Sequence, residues 1–232
     1  MTSDPRGTDL TPLLGLSPTA PELADCLCAL VGSSPSSSRR APSATLASYP
    51  DIVYLSYHAL GVSLSFEPTI SSYRPAYKLS SVDQLEPDKL YCVGIDVYNH
   101  EHTDGGDGTK SSGSTSSNEY EPFPQYPILL PAPALASSSS SPPGAAAAAR
   151  PFPLTPTTTG KDLVAAYGEP TRKGGGDTKG MGIWTEWTRE GIMVEWKSSG
   201  LGAWDKGGET QWRVLSLFEP GVGKGKDDDD DE

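Results

Sequence analysis

Residues 54–66 read YLSYHALGVSLSF, and residues 184–196 read WTEWTREGIMVEW. The two stretches align without a gap: each has aromatic residues at its first, fourth and last positions and glycine at its eighth. Two such runs joined at a glycine predict a β-hairpin, because glycine tolerates the backbone conformation of a tight turn. The same pattern in two distant places predicts a fold built from an internal repeat.

The chain on either side of the first hairpin completes a small unit. Apolar residues recur at helical spacing from Leu23 to Leu30, which predicts a helix. This helix is predicted to begin at a capping box formed by Thr19 and Glu22. After the hairpin, residues 90–98 are mostly apolar and predict a third strand.

The second hairpin has similar neighbours. Thr159 and Asp162 have the spacing that caps a short helix, which is predicted to end before Gly168. The glycine-rich stretch 173–180 is interpreted as a mobile connection rather than an anion site, because no strand precedes it and no helix follows it. Residues 212–218 are predicted to form the closing strand.

Each unit is thus predicted to contain one helix followed by a three-stranded antiparallel meander. A three-stranded sheet under one short helix is barely stable alone, so the two units are expected to share a core. We therefore predict an α+β fold in which two tandem helix-plus-antiparallel-meander repeats form one curved, six-stranded sheet with helices on one face.

Composition sets the remaining boundaries, since segments poor in large apolar side chains cannot offset the entropy lost on ordering. The aromatic and proline-rich bridge, 120–131, cannot form a central strand, but its aromatic residues suit an extended segment across the core. The predicted organisation is a flexible N-terminus (1–18), a first α+β repeat (19–98), a low-complexity linker with the bridge (99–151), a second α+β repeat (152–220) and a disordered acidic tail (221–232).

Charge and cysteine content restrict the classes of partner and compartment. The formal net charge of −12 argues against nucleic acid and membrane partners, and half of it belongs to six consecutive carboxylates, 227–232. Neither a secretory signal nor an apolar stretch of about 20 residues is evident. Cys26, Cys28 and Cys92 do not suggest a disulfide framework. A soluble cytoplasmic or nucleocytoplasmic protein is expected.

The second unit resembles a known arrangement. Its residues 162–164 and 168–170 form a short helix ending in Gly-x-Pro, and Trp184 and Trp187 open a tryptophan-rich meander. This order resembles the fold of the β-lactamase inhibitor protein, and small outer-membrane-assembly lipoproteins carry one copy of a similar unit. The first unit departs from it, since its helix is longer. The resemblance implies the fold, and it carries over neither inhibitor contact residues nor an assembly role.

Polar motifs give no catalytic signature. His100 and His102, with Asp104 and Asp107, have side chains that bind divalent metals, but a solvated loop is the preferred interpretation of their glycine-rich surroundings. The stretch 158–162 faintly resembles a phosphate loop and is better explained as a helix start. No metal and no cofactor is therefore predicted.

The aromatic residues give the candidate binding surface. All five tryptophans fall in the second unit, and Trp184, Trp196 and Trp212 fit the apolar rhythm of core residues. Trp187 cannot face the same way as Trp184 on a regular strand, so one of the two is expected to be exposed or covered by the bridge. Trp204 lies in a glycine-rich loop beside charged residues. The predicted binding residues are Tyr57, Trp187, Trp204, Asp205 and Lys206.

These features favour a non-enzymatic protein-binding or adaptor module that uses the aromatic sheet face and the tryptophan loop, with another protein as the partner. The alternative is a small-molecule or peptide-processing enzyme whose site lies between the two units and uses Asp205, Lys206 or Glu209. A third hypothesis gives the fold a scaffolding role, with the acidic tail as the active element.

Overall fold

The computed structural model of the protein describes residues 7–32, 42–99, 120–133, 150–176, 182–200 and 202–222. Within these ranges the chain forms ten strands and three α-helices. The strands are β1 (Thr45–Ser48), β2 (Val53–Tyr57), β3 (Val62–Pro68), β4 (Leu90–Tyr98), β5 (Ile128–Leu130), β6 (Phe152–Leu154), β7 (Arg172–Gly174), β8 (Gly182–Trp187), β9 (Ile192–Ser199) and β10 (Trp212–Phe218). The helices are α1 (Pro21–Leu30), α2 (Gly160–Tyr167) and α3 (Ala203–Gly207).

Eight strands form one antiparallel sheet in the order β1-β2-β3-β4-β10-β9-β8-β7, while β5 and β6 pair separately. The two halves of the chain meet where β4 pairs with β10 in the middle of the sheet. The predicted α+β class with a large antiparallel sheet is confirmed. The predicted six strands are too few, because β1 and β7 each extend the sheet at one edge.

Both aligned stretches form hairpins, β2–β3 and β8–β9. Strands β4 and β10 have the bounds predicted from their apolar patterns. Between β2 and β3, a short 3₁₀ turn (His58–Leu60) ends at Gly61, whose φ is 58°. Gly191, at the aligned position of the second hairpin, has a φ of 69°. Positive φ values of this size favour glycine, so this residue type is required at both turns.

The strand register separates the two faces of the sheet, since cross-strand partners point to the same side. Trp187 pairs with Ile192, which pairs with Leu217, and these side chains are buried. The row continues through β4 and β3 to Leu55. The buried residues of the helices and of β5 and β6 belong to the same continuous core. One face of the sheet is therefore covered.

Helices α1 and α2 begin and end close to the predicted residues. At α2, Asp162 accepts hydrogen bonds from the backbone N–H and the hydroxyl of Thr159, both at 2.8 Å, so the predicted capping residues interact there. At α1 the predicted capping box is wrong, because the N-cap is Ala20 and no side chain caps the helix. Pro21 needs no hydrogen-bond acceptor at this position, which makes a cap less necessary.

Residues 7–18, which composition predicts to be flexible, lie against the fold instead. Leu10 and Leu13 are buried in the core. The backbone of Thr8 exchanges two hydrogen bonds with the bridge, donating to Pro127 and accepting from Leu129, each at 2.8 Å. The bridge itself crosses the core as an extended segment, with Phe123 buried. In residues 7–18, the N-terminal segment and the bridge thus supply backbone hydrogen-bond partners to each other, while residues 1–6 lie outside the described ranges.

The opposite face of the sheet carries polar residues in its middle. Ser216 donates a hydrogen bond to Asp96, its cross-strand partner. Tyr98 stacks on Tyr120 at 3.7 Å between ring centroids. Burial, and then the negative charge of Asp96, raise the pKa of Tyr98. On this face the Ser216 hydroxyl and the Asp96 carboxylate thus satisfy each other.

Stability is expected to fall in alkali, because burial raises the pKa of Cys92 from 9.0 to about 12 and that of Tyr57 from 10.0 to about 12. The unfolded chain releases these protons at lower pH than the native state, so their stabilising effect is complete below pH 9 and is lost between about pH 9 and pH 12. Each group lowers the free energy of unfolding by about 1.4 kcal/mol per pH unit in its own window. Urea unfolding of the native chain and of Tyr57→Phe at several pH values checks this, with a shallower slope expected for the variant above pH 10.

Candidate binding cleft

An open cleft of about 130 Å³ lies on the covered side of the sheet, at its β7 edge. Strands β8 and β9 form its floor, and helices α2 and α3 form its walls. The residues that line it are Gly160, Val164, Glu169, Pro170, Lys173, Ile183, Thr185, Trp187, Trp196, Trp204, Gly207 and Gly208. We call this feature the tryptophan cleft.

The floor of the tryptophan cleft is aromatic. The indole N–H of Trp187 donates to the Gly168 carbonyl at 3.0 Å, and that of Trp196 donates to the Thr185 hydroxyl at 3.0 Å. Both indole donors are thus satisfied within the protein. The two rings are 2% and 3% exposed, so the small part of each that reaches the cleft is apolar, which favours an aliphatic or aromatic guest over a polar one.

Helices α2 and α3, the walls of the cleft, approach each other closely because glycine has no side chain at their point of contact. A Cβ atom on Gly160 would lie 2.7 Å from the carbonyl oxygen of Gly207. The N–H of Lys161 donates to the Gly208 carbonyl at 2.8 Å, and its Nζ lies 2.7 Å from Glu209. The first turn of α2 is therefore hydrogen-bonded to the end of α3, which fixes the width of the cleft.

The rim of the tryptophan cleft carries its exposed aromatic residue, Trp204, which is 41% exposed. Its indole N–H donates to the Gly175 carbonyl at 3.3 Å, next to the end of β7. The Nζ atom of Lys173 lies 5.7 Å from the centroid of the Trp204 ring, which is within the range of a cation–π contact. The rim therefore combines a large apolar surface with the positive charge of Lys173, and the exposed carboxylate of Glu169 also lines the cleft.

The predicted binding residues do not form one surface. Tyr57 and Trp187 are 6% and 2% exposed, so neither offers an open aromatic surface on the sheet. Both point to the covered face, and five strand spacings, roughly 24 Å, separate β2 from β8. Asp205 and Lys206 are exposed on α3 beside Trp204, outside the cleft lining.

Trp187 and Trp204 do belong to one site, since both line the tryptophan cleft. The member of the Trp184 and Trp187 pair that faces away from the core is Trp184, so the expectation of a buried Trp184 is wrong. Strand alternation requires opposite faces for the two residues but does not tell which of them faces the core. Tyr167 of α2 packs against Trp187, with 6.0 Å between the ring centroids. This contact with a helix places Trp187 on the covered face of the sheet.

Sequence reasoning missed Lys173, Thr185 and Trp196 as cleft residues. Lys173 falls in a stretch predicted to be a mobile connection, whereas residues 172–174 form β7 and pair with β8. Trp204, predicted to lie in a loop, belongs to α3. Trp196 and Thr185 fit the alternating pattern of inward-facing residues, and that pattern was the available signal.

No protein-family model, curated protein or solved structure matches this chain. Within the described ranges, no group of three or more His, Cys, Asp or Glu residues is placed to hold a metal ion. The metal candidates at 100–107, with all their neighbours up to 119, lie outside the described residues. In the same part of the chain that the structure describes, no helix is long and apolar enough to cross a membrane.

Proposed function

We propose that this chain is a non-enzymatic protein-binding module whose tryptophan cleft receives one apolar side chain of a partner protein. The observation that supports this proposal is the convergence of Trp187, Trp196 and Trp204 on one open cleft. Tryptophan is one of the residue types enriched among those that dominate the energy of protein interfaces. A partially exposed tryptophan at the rim of an apolar cavity has the composition of such an anchor site.

The size of the cleft favours a side chain over a small-molecule ligand. Its volume is about 130 Å³, whereas cavities for small molecules and cofactors typically measure about 300–1,000 Å³. An apolar cavity of about 150 Å³ holds one benzene molecule. The tryptophan cleft therefore suits a leucine, methionine or phenylalanine side chain presented by a protein.

The alternative, an enzyme with a site between the two halves of the chain, has less support. The tryptophan cleft lies in the second half alone. Glu209 is exposed and accepts a hydrogen bond from Lys161, which lowers the pKa of the carboxyl group. A carboxylate held in its ionised form is poorly suited to act as a general acid. No contact of Asp205 or Lys206 within the described ranges favours a catalytic role.

The proposal includes an origin of the fold by duplication of a helix-plus-meander unit. Its support comes from the two hairpin turns. Tyr98 donates its N–H to Gly61 at 2.9 Å, and Phe218 donates its N–H to Gly191 at 3.0 Å. The carbonyl of His58 accepts from Glu121, and the aligned carbonyl of Thr188 accepts from Gly221. Equivalent bonds at aligned positions are the expected trace of a repeat. The resemblance to the β-lactamase inhibitor protein stays a prediction.

Selection of random displayed peptides on the immobilised chain tests the binding function. We expect enriched sequences to share one bulky apolar residue, and we expect Gly207→Leu to abolish their capture. A Cβ on Gly207 would lie 2.8 Å from Cδ1 of Ile183, the flexible end of a side chain, so a leucine there fills the cleft while the fold can adjust. The matched control is Tyr77→Ala, which removes an exposed aromatic residue from the other half. Capture that survives Gly207→Leu contradicts the proposal.

A further inference from the structure

Strand β7 is the last strand of the eight-stranded sheet. Its three residues pair with β8 on one side, and no strand in the described ranges pairs with the other side. The backbone groups along such an edge form a template for a further strand. The edge of the sheet at β7 therefore offers main-chain hydrogen bonds next to the tryptophan cleft.

Tryptophan rings flank this edge on both faces of the sheet. On the covered face, Trp204 bonds to the carbonyl of Gly175, the residue that follows β7. On the opposite face, the ring of Trp184 lies over Gly174, where an added Cβ atom would be 2.7 Å from its Cζ2 and 3.0 Å from its Nε1. Because Gly174 has no side chain, the ring of Trp184 reaches the sheet edge. A strand added to β7 would thus contact an indole on each face.

The register says which residue of an added strand enters the cleft. Lys173 pairs with Thr185, and both line the tryptophan cleft. Cross-strand neighbours share a face, so the residue opposite Lys173 points into the cleft while its two neighbours point toward Trp184. Strand addition of this kind takes affinity from main-chain bonds and specificity from pockets for alternate side chains.

We propose that the partner binds as an extended peptide that adds a strand to β7, with an apolar residue opposite Lys173 seated in the tryptophan cleft and a carboxylate two residues away. This inference rests on the proposed binding function and names the form of its partner.

Charge favours an acidic peptide over a second copy of this chain as the strand added to β7. Antiparallel pairing of β7 with the β7 of another copy, centred on Lys173, would place the two lysines opposite each other, and like charges directly opposite are destabilising. On an added strand, the residues two positions from the anchor share its face and come within reach of Lys173. Carboxylates at these positions complement the ammonium group of Lys173.

The test uses the full chain and an acetylated, amidated pentapeptide with the sequence glutamate-threonine-leucine-threonine-glutamate. The side-chain N–H signals of the five tryptophans are followed by NMR during titration. We expect the signals of Trp187, Trp196 and Trp204 to shift on cleft binding, and that of Trp184 to shift with them on strand addition. The signal of Trp212, which is buried and donates to Thr155 at 2.8 Å, is the internal control and stays in place.

Peptides with alternate backbone nitrogens methylated complete the test. In an added strand only every second N–H faces β7, so one methylated set is expected to bind about tenfold more weakly and the other to keep its affinity. Shifts of the cleft tryptophans without Trp184, or equal behaviour of the two methylated sets, would overturn strand addition and leave cleft binding standing. If no tryptophan signal moves, both the proposed function and this inference are wrong.

Discussion

Replacement of Gly191 by alanine is expected to lower the free energy of unfolding by about 4 kcal/mol or more. The added Cβ would lie 2.2 Å from the carbonyl oxygen of Phe218 and 3.1 Å from the nitrogen of Pro220. Both atoms belong to the backbone of the closing segment, so neither can move without breaking the bond that Phe218 donates to Gly191. Gly61→Ala is expected to have a similar effect, since its Cβ would lie 2.2 Å from the Glu121 carbonyl oxygen.

Gly15→Ala is the matched control for both variants. Gly15 also has a positive φ, 80°, but apart from Gly15 and its two chain neighbours no described residue has an atom within 4 Å of the position that an added Cβ would take. In this variant the free energy of unfolding falls only by the cost of placing alanine in a left-handed backbone conformation, about 1–2 kcal/mol. Urea unfolding of the three variants separates steric clash from backbone strain. Equal losses at Gly15 and Gly191 would contradict the close packing described for the hairpin turns.

Trp212→Ala is expected to destabilise the protein by about 3–5 kcal/mol, whereas Trp204→Ala costs about 1 kcal/mol or less. Trp212 is fully buried at the start of β10, and its indole N–H donates to the Thr155 carbonyl at 2.8 Å. Its ring also contacts Tyr126 edge-on, with centroids 6.3 Å apart. The substitution removes this packing and leaves a cavity, and the half-buried Thr155 carbonyl keeps only the hydrogen bond from the Thr158 N–H at 3.1 Å.

The contrast between the two tryptophans matters for function. Trp204 is exposed and makes one long hydrogen bond, at 3.3 Å, so the fold does not depend on it. Thermal unfolding followed by circular dichroism measures both variants against the native chain. If Trp204→Ala were as destabilising as Trp212→Ala, Trp204 would be a structural residue and its assignment to a binding rim would fail.

Local sequence signals predicted the elements whose residues carry their own pattern. The apolar runs at 90–98 and 212–218 predicted strands with the observed bounds. The spacing of Thr159 and Asp162 predicted the start of α2. The glycines at the aligned eighth positions gave both hairpin turns. In each of these cases the deciding interaction lies within a few residues of the signal.

The features that sequence reasoning missed depend on interactions between distant segments of the chain. Strand β7 contains Arg172, Lys173 and Gly174, a composition with low strand propensity, and it pairs because β8 offers a partner. Leu10 is buried because the bridge binds the N-terminal segment. The face of the sheet on which Trp187 lies is set by its contact with Tyr167. These pairings join residues that no short window of sequence contains.

The candidate site was predictable only in part, for the same reason. The clustering of tryptophans pointed to the second half of the chain and to Trp204. The cleft itself requires α3 to approach α2 at Gly160, where a Cβ would lie 2.7 Å from the Gly207 carbonyl oxygen. Nothing in the spacing of Gly160 and Gly207 reveals that close approach. Tyr57 holds the position aligned with Trp187 and lies on the same face of the sheet, but the sheet keeps the two residues roughly 24 Å apart.

The most direct measurement is an NMR titration of the native chain with N-acetyl-leucine amide, read on the indole N–H signals of the five tryptophans. Burial of one leucine side chain gives about 2–3 kcal/mol, so shifts are expected at about 10 mM and above. We predict that Trp187, Trp196 and Trp204 shift, that Trp184 and Trp212 do not, and that Gly207→Leu abolishes the shifts. Unchanged cleft signals, or shifts that persist in Gly207→Leu, would contradict the claim that the tryptophan cleft binds an apolar side chain.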